Sequence, residues 1–231
     1  MWLELMVGAA LALLCGLDRI AVFQILISRP IVAAPLTGIF LGEPLIGLQI
    51  GVMVELLWLA RLPVGAAVPP DDTQVAIAAT VLSVALGRQL ESISIEMMLV
   101  CLLVALPVGK VGQYFEHRAR NYNGQLPALT ERALEQGQWR QAQVIHLRGM
   151  LSFGASSLLT YLIIIAVGLL LIPPTWPVLT TVFSPSAGFL QLALPLVGVA
   201  VILGTVNVSR SITLFCAAFG MAFLLMWLVH P

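Results

Sequence analysis

Charged residues are scarce in this 231-residue chain. Aspartate, glutamate, lysine and arginine together make up 10% of it, whereas hydrophobic residues make up 60%. A soluble domain usually contains about 25% charged residues, so the composition excludes an ordinary soluble protein. The chain also lacks an excess of charge of either sign, with 11 acidic and 11 basic residues. Without a basic excess there is no electrostatic signature of nucleic-acid binding, and we predict no nucleic-acid partner.

Cysteine is also rare, and its three copies, Cys15, Cys101 and Cys216, all lie in apolar runs. An odd number without paired spacing predicts neither a disulfide framework nor a metal site, so we interpret all three as small core residues. The histidines are scattered, and the phosphate-binding pattern G-x-x-x-x-G-K is missing. We therefore predict no cofactor and no ATPase activity: the chain binds or moves something, and its energy source lies elsewhere.

Long apolar runs fill most of the chain, and the mean hydropathy is +1.02. Since a spanning helix needs about 20 residues, the length allows roughly six to eight membrane segments. The first run, Met1 to Leu17, contains Glu4 where a signal peptide carries basic residues, so we expect a retained membrane segment. The sequence thus predicts an all-α integral membrane protein, a polytopic helical bundle with re-entrant or broken helices. We assign 1–231 to a single membrane domain.

The stretch from Ser28 to Thr80 combines apolar residues with charges and prolines that a plain membrane anchor does not need. The interruptions are Arg29, Pro30, Pro35, Glu43, Pro44, Glu55, Arg61, Pro63, Pro69, Pro70, Asp71 and Asp72. The apolar pieces Ile31 to Gly42 and Leu45 to Ala60 are each too short to span a bilayer. Broken helices of this kind are typical of a transporter's binding site, because lipid tolerates interrupted backbone only beside protein or a water-filled cavity. We predict a re-entrant hairpin or two half-helices, and we expect the functional site here.

Glu55 is the most informative charge in this stretch. It continues a row formed by Gly47 and Gly51 at helical spacing, and Trp58 lies one turn further on. Glycines four apart predict close packing between helices. A charge within the membrane costs several kcal/mol, roughly 2.5 or more, and is therefore a functional hypothesis by default. A structural ion pair with an arginine is the alternative.

Asp71 follows the pair Pro69-Pro70 and precedes a helix that we expect to begin near Thr73. Proline favours extended backbone before the helix, and an aspartate there can cap the helix N-terminus. A second role is a hydrogen bond to a polar ligand at that helix end. The two roles are compatible.

Polar residues also interrupt the first and last apolar runs. Asp18 and Arg19 lie within Met1 to Ile27, and because adjacent helical residues point in different directions, we expect each to have another partner. Gln24 predicts either an interhelical hydrogen bond or a ligand contact. Near the C-terminus, Asn207 to Ser211 separates two apolar runs and is interpreted as a tight turn at the membrane surface.

The one long hydrophilic region is Lys110 to Gly149, which has a basic excess. The positive-inside rule, which applies to loops of up to about 60 residues, places it in the cytoplasm. We interpret this cytoplasmic loop, about 110–149, as a solvated connector in which Thr130 could open a short helix; a docking surface is the alternative. Met150 to Ile172 then predicts a full span, and Pro173 to Pro177 predicts a rigid turn that places Trp176 at headgroup level.

Several of these motifs resemble one family of membrane proteins, the IIC subunit (EIIC) of the mannose/sorbose class of the phosphoenolpyruvate-dependent sugar phosphotransferase system (PTS). The matching residues are Arg29-Pro30, Leu41-Gly42, Glu55-Leu56, the run V-G-A-A-V-P-P-D at 64–71, Asn207 and Arg210. The similarity is strong from Arg29 to about Val84 and weaker elsewhere. The chain departs from the family pattern at Pro63, where a polar residue is usual, and at Arg61, and it is short at its C-terminal end.

The resemblance implies a multi-pass sugar permease subunit of the bacterial cytoplasmic (inner) membrane. Such a subunit provides the translocation path and part of the sugar-binding site, while a IIB subunit phosphorylates the sugar. The chain itself has no identifiable phosphoryl-carrier residue. The implied partners are a IID membrane subunit, the cytoplasmic phosphocarriers IIA and IIB, the sugar and the lipid bilayer, in an oligomer of IIC–IID pairs. Carried over by position, the sugar-contact candidates are Glu55 and Asp71 first, then Asp18, Gln24, Asn207 and the aromatic Trp58.

Two other function classes fit parts of the sequence. A membrane scaffold or sensor, divergent and without transport, would use the basic region 110–149 as its docking surface. An ion-coupled transporter of another solute would use the intramembrane acids. Neighbouring coding sequences for IIA, IIB and IID subunits would favour the permease over both.

Overall fold

The computed structural model describes residues 1–59, 68–90, 93–185, 187–205 and 211–229. These ranges are predominantly helical and contain no strand, which confirms the predicted all-α fold. The helices in them are α1 (Trp2–Ile20), α2 (Pro30–Leu41), α3 (Pro44–Leu57), α4 (Asp72–Gln89), α5 (Ile95–Val108), α6 (Val111–Asn123), α7 (Leu126–Glu135), α8 (Trp139–Phe183), α9 (Ala187–Thr205) and α10 (Ser211–Val229).

Helix α4 lies at the centre of the bundle and contacts α1, α2, α3, α5 and α8. Every residue from Thr73 to Gly87 is buried, as expected for a helix that is apolar on all sides. Its small aliphatic side chains allow several neighbours to approach at once. The hydroxyls of Thr80 and Ser83 donate to carbonyl oxygens one turn back, at 2.8 and 2.7 Å, so neither is left unpaired in the core.

Helices α2 and α3 form a short antiparallel hairpin against α4, as the breaks in the sequence predict. Gly42 ends α2 with a φ of +79°, a conformation that glycine adopts without strain. A Cβ at Gly51 would lie 2.6 Å from the carbonyl oxygen of Pro30, and one at Gly38 would lie 3.2 Å from the Cα of Gly47. The prediction that the spaced glycines allow close helix packing is confirmed.

Helix α8 runs through the prolines that were expected to end it. The predicted turn at Pro173 to Pro177 is wrong, since the 45-residue helix extends from Trp139 to Phe183. Trp176 is buried, with 8% exposed, rather than lying at headgroup level. A turn in apolar surroundings would leave more backbone N–H and C=O groups without hydrogen bonds than the three prolines do within a continuous helix. The hydroxyl of Thr175 also donates to the Leu171 carbonyl oxygen at 2.6 Å within this segment.

The hydrophilic region 110–149 is helical, and most of its side chains are exposed. It consists of α6, α7 and the first turns of α8. Helix α7 begins at Leu126 rather than at Thr130, whose hydroxyl donates to the Leu126 carbonyl oxygen inside the helix at 2.9 Å. Leu126, Ala133, Ala142 and Ile145 form a small apolar cluster that joins α7 to α8.

The protein is a multi-pass membrane protein, but the described ranges contain fewer full-length spans than the predicted six to eight. By length and composition, α8 and Ala187–Gly204 can cross a membrane, and the bent pair Ile95–Val108 with Val111–Glu135 can count as a third span. Shorter apolar helices account for much of the rest: Pro30–Leu41, Pro44–Leu57 and Ile212–Leu224. The apolar composition overestimated the number of full-length spans because glycine and proline divide several apolar runs into shorter helices.

The predicted first membrane segment corresponds to α1, which packs against α4 and α8. Cys15 of α1 and Cys101 of α5 are buried, which confirms their interpretation as core residues. The same interpretation is wrong for Cys216, which is exposed on α10. Apolar sequence in a membrane protein indicates either a core or a lipid-facing surface, so it could not distinguish these positions.

Candidate functional site

A polar cluster lies where the loop after α1 meets the N-terminus of α4. The loop contains non-glycine residues with positive φ: Phe23 (59°), Gln24 (53°) and Leu26 (70°). Such conformations cost free energy and persist only where the surroundings hold them. Asp18 provides that hold: it is buried, with 3% exposed, and its carboxylate accepts from the Ile25 amide (2.9 Å) and the Ser28 amide (3.1 Å). Both of its oxygens therefore bind loop backbone.

Arg19 links α1 to the first residues of α4. Its Nη1 lies 2.6 Å from Oδ1 of Asp71 and 3.8 Å from Oδ1 of Asp72. The expectation that Asp18 and Arg19 have different partners is thus confirmed. Asp71 is buried, with 6% exposed, whereas 26% of the Asp72 side chain is exposed. Two carboxylates share one guanidinium, so this end of α4 keeps acceptor oxygens beyond those that Arg19 uses.

Asp71 caps α4 as predicted, since its Oδ1 accepts from the Gln74 amide at 3.1 Å. The preceding amides also have acceptors: the Asp72 amide donates to the Pro70 carbonyl oxygen at 3.0 Å, and the Thr73 amide to Oδ1 of Asp72 at 2.9 Å. The N-terminus of α4 therefore presents carboxylate oxygens rather than free amides. That arrangement suits a ligand with hydroxyl donors better than an anion.

Glu55 pairs with Arg29, the arginine that precedes α2. Its second oxygen lies 3.4 Å from the Ile31 amide, and 10% of its side chain is exposed. The arginine partner that the sequence left as an alternative is therefore present, and it closes the open end of the hairpin. The hydroxyl of Thr73 donates to the Ser28 carbonyl oxygen at 2.7 Å, so this ion pair and the capped end of α4 belong to one connected cluster.

The other residues singled out in the sequence lie elsewhere. Gln24 is exposed, and its amide donates to the Ile20 carbonyl oxygen at 3.0 Å, so the interhelical hydrogen bond predicted for it is wrong. The side-chain amide of Gln24 thus finds its acceptor within the local turn and not on another helix. Trp58 follows the last turn of α3 and is half-buried. Asn207 lies outside the described residues, as do Arg61 and Pro63.

Trp58 lines a cleft of about 540 Å³ between α3, α5 and α9. A small-molecule site usually has a volume of roughly 300–1,000 Å³, mostly apolar walls and few polar groups. The lining includes Trp58, Pro70, Leu106, Lys110, Val197 and Val201. Pro70 immediately precedes the capping aspartate, so the cleft adjoins the polar cluster.

Helix α6 packs directly against this region, which the sequence did not predict. A Cβ at Gly112 would lie 2.7 Å from the Cβ of Asp71, and Nε2 of the Gln113 side chain donates to the Val68 carbonyl oxygen at 2.6 Å. Glu116, on the same helix, is buried. The available signal was the small residue at 112 among larger polar ones, which permits close approach of backbones. The overall polarity of 110–149 concealed it.

Comparison with known proteins finds membrane proteins that resemble this chain along most of its length. The model of a family described as the PTS system sorbose-specific IIC component matches residues 2–229. A sorbose-specific EIIC component of Klebsiella pneumoniae is 30% identical over 122 residues, which cover 53% of this chain and 43% of that protein. A mannose-specific EIIC component of Escherichia coli K12 is 29% identical over the same shares. The matched segment thus spans less than half the length of these curated relatives.

Two solved structures share the fold. One, described only as a membrane protein, has a TM-score of 0.65 and 22% identity, and the match covers 100% of this chain and 95% of the other. A cryo-EM structure of the mannose transporter ManYZ with microcin E492 has a TM-score of 0.58 and 22% identity, covering 96% and 86%. At this level of identity the likeness concerns the arrangement of helices.

Proposed function

Since the chain belongs to the family of PTS sorbose-specific IIC components, we propose that it is the sugar permease subunit of a phosphotransferase system. It provides the translocation path and part of the sugar-binding site, and a IIB subunit phosphorylates the sugar. The observation that carries this proposal is the polar cluster at the end of α4. Carboxylate oxygens at a helix end beside a short broken hairpin suit the binding of a polar, hydroxyl-rich solute.

The sugar binds where the cleft beside Trp58 meets the capped end of α4. Asp72 is the most accessible acceptor there because its side chain is 26% exposed and Arg19 lies 3.8 Å away. Asp71 is held by Arg19 at 2.6 Å and accepts from a backbone amide, so it offers fewer free lone pairs. Trp58 provides an aromatic surface for the apolar face of a sugar ring.

Glu55 and Asp18 act on this site through other groups. Glu55 holds Arg29 and with it the open end of the hairpin. Asp18 holds the loop that leads from α1 to Arg29. Charges placed in the membrane to fix backbone geometry need partners of this kind, because an unpaired charge there is costly. Both residues are therefore positioning residues for the sugar site.

The proposed setting is the bacterial cytoplasmic membrane, with a IID subunit beside this chain and IIA and IIB subunits supplying the phosphoryl group. The family membership and the likeness to a mannose transporter support this setting. In that membrane, the unit formed by α6, α7 and the first turns of α8, which carries a basic excess, faces the cytoplasm. The cleft between α3, α5 and α9 adjoins α6 at Lys110, so the sugar site lies near the cytoplasmic phosphocarriers.

The test is sugar uptake by membrane vesicles that contain this chain and a IID subunit of the same class. Uptake is measured for a panel of hexoses and sorbose, with and without phosphoenolpyruvate and the soluble phosphocarriers. We expect sugar phosphate to accumulate only when the complete relay is present. Accumulation of unmodified sugar driven by a proton or sodium gradient would reject the phosphotransferase assignment. Absence of uptake for every sugar, with the complex assembled, would favour a scaffold or sensor.

A further inference from the structure

A second concave surface lies on the helical unit of α6, α7 and the start of α8, apart from the sugar site. It is a groove of about 310 Å³ between α7 and the first turns of α8. The residues that give it its chemistry are Leu129, Arg132, Gln136, Gln141, Val144 and Arg148. An arginine thus stands on each helix, and amide and aliphatic side chains lie between them.

Both arginines are exposed, and among the described residues no carboxylate pairs with either. Elsewhere in the described ranges, Arg19, Arg88 and Arg120 each pair with an acidic side chain, whereas the exposed Arg118 and Arg140 are unpaired like the groove arginines but do not line the groove. The acidic residues of α7, Glu131 and Glu135, line a different cavity. The groove therefore contains two arginines and no carboxylate among its lining residues.

We propose that the groove between α7 and α8 is the docking surface for an acidic segment of the soluble protein that delivers the phosphoryl group. This inference rests on the proposed function, and it names the surface that such a partner uses. Two guanidinium groups on opposite walls can each bind a carboxylate through paired hydrogen bonds. Leu129 and Val144 add apolar contact, and Gln136 and Gln141 add amide donors. An acidic helix or loop with aliphatic residues matches this pattern in charge and polarity.

The dimensions of α8 favour a protein partner over the membrane surface. The apolar run of α8 starts at Met150, and at 1.5 Å per residue the helix extends about 16 Å further, back to Trp139. The headgroup layer on each side of a bilayer is only about 5–8 Å thick. On α8, Gln141 and Val144 lie about 14 and 9 Å before Met150, past that layer, where a soluble protein can reach them, while Arg148 lies about 3 Å before it, beside the headgroups.

The docking surface also has a structural connection to the sugar site. Helix α7 follows α6, and α6 contacts the segment before α4 through Gly112 and Gln113. At the other end of α6, Asn123 donates to the Gly149 carbonyl oxygen of α8 at 3.1 Å. A partner bound in the groove therefore lies on the same helical unit that packs against Asp71.

The experiment measures sugar phosphorylation by the full complex in proteoliposomes as the concentration of phosphorylated carrier is varied. The test variant is Arg132→Glu with Arg148→Glu. The matched control is Arg118→Glu with Arg140→Glu, which makes the same change in charge at exposed positions that do not line the groove. We expect the KM for the carrier to rise at least about tenfold in the test variant and less than about threefold in the control, with kcat nearly unchanged at saturating carrier.

Several results would overturn the proposal. Equal KM values for the wild type and the groove variant would remove the groove from carrier docking. Equal increases in both variants would show a general effect of surface charge. A loss of dependence on anionic lipid in the groove variant, with carrier KM unchanged, would assign the groove to the membrane. The Kd of the carrier for the detergent-purified complex needs no transport, so it tests the groove even if the wild type fails to phosphorylate sugar and the proposed function is thereby rejected.

Discussion

At the scale of single residues, each acidic group of the cluster is engaged by this chain before any ligand arrives. Asp18 binds two amides, Asp71 binds Arg19 and an amide, and Glu55 binds Arg29. The sequence singled out these acids but could not reveal the partner of Asp71, because Arg19 is far from it along the chain. Such long-range pairs depend on the packing of α1, α2 and α4. Asp72, the most accessible acid, was noted only as an interruption.

Neutralising Glu55 tests its role as the partner of Arg29. The pair is partly exposed, so we expect Glu55→Gln to cost about 1–3 kcal/mol, between the values for exposed and buried pairs. Sugar uptake falls because the hairpin end loosens, while insertion into the membrane is retained. The measurements are uptake by vesicles and the amount of protein in the membrane.

The charge swap is the control for this prediction. Because the two side chains contact each other, Arg29→Glu combined with Glu55→Arg should restore part of the uptake that either single variant loses. Normal uptake by Glu55→Gln would contradict the positioning role. A loss that the swap does not relieve at all would instead indicate direct contact between Glu55 and the sugar.

Replacing Asp72 by asparagine tests the proposed sugar contact. Asparagine retains an acceptor oxygen, so the hydrogen bond from the Thr73 amide can persist. The weaker acceptor should raise the KM for sugar about tenfold, which corresponds to about 1.4 kcal/mol. Thermal stability in detergent should be nearly unchanged, since the side chain is partly exposed. An unchanged KM would remove Asp72 from the sugar site.

At the scale of helices, the sequence predicted where helices break and how they are capped, but not where a helix continues through prolines. The short hairpin α2–α3 and the cap at Asp71 follow from the local backbone preferences of glycine and proline and the capping ability of aspartate. The continuation of α8 through Pro173 to Pro177 does not, because it depends on apolar surroundings that make a turn costlier than a helix with missing hydrogen bonds. The docking of α6 against Asp71 likewise depends on tertiary packing.

Adding a methyl group at Gly112 tests whether α6 must lie against the site. The new Cβ would lie 2.7 Å from the Cβ of Asp71 and 3.1 Å from Cγ2 of Thr160. Overpacking of this kind typically costs about 1–3 kcal/mol, and we expect Gly112→Ala to lower sugar affinity by displacing the capped end of α4. Binding of radiolabelled sugar to the purified complex measures the effect.

Gly124→Ala is the matched control, because the nearest atoms to its new Cβ are at 3.5 Å, an ordinary contact. Alanine also has the higher helix propensity, so this variant should retain or slightly gain stability. Equal sugar affinity in the two variants would show that the position of α6 does not influence the site.

At the scale of the whole molecule, α4 carries a polar network at each end of its buried length. The N-terminal network contains Arg19 and Asp71. At the other end, Arg88 donates to the Leu41 carbonyl oxygen at 2.6 Å and lies 3.2 Å from Glu4. The 18 residues of α4 correspond to a length of about 27 Å, close to the hydrocarbon thickness of a bilayer. The two networks thus attach α1 and the hairpin to opposite ends of α4.

The network at Arg88 should contribute to stability and not to sugar binding. Arg88 is partly exposed, so Arg88→Gln should cost no more than about 1–2 kcal/mol. Thermal unfolding of the purified protein should shift downwards, while the affinity for sugar should stay close to that of the wild type. A large loss of affinity without a change in stability would show that the two ends of α4 are functionally coupled.

The central claim is that sugar binds in the cleft that adjoins the capped end of α4. The most direct measurement is the rate at which a hydrophilic maleimide labels a cysteine placed at Lys110, in the lining of that cleft. The Cys216→Ser background removes the exposed native thiol, and Cys15 and Cys101 are buried. A cysteine at Arg118, on the exposed face of α6, is the control.

We expect the sugar whose phosphate accumulates in vesicles to slow labelling at position 110 and not at position 118. With the sugar at about ten times its Kd, roughly nine-tenths of the sites are occupied, so labelling should slow severalfold. Equal labelling rates at position 110 with and without the sugar, in a variant that still transports it, would contradict the claim and place the binding site elsewhere in the bundle.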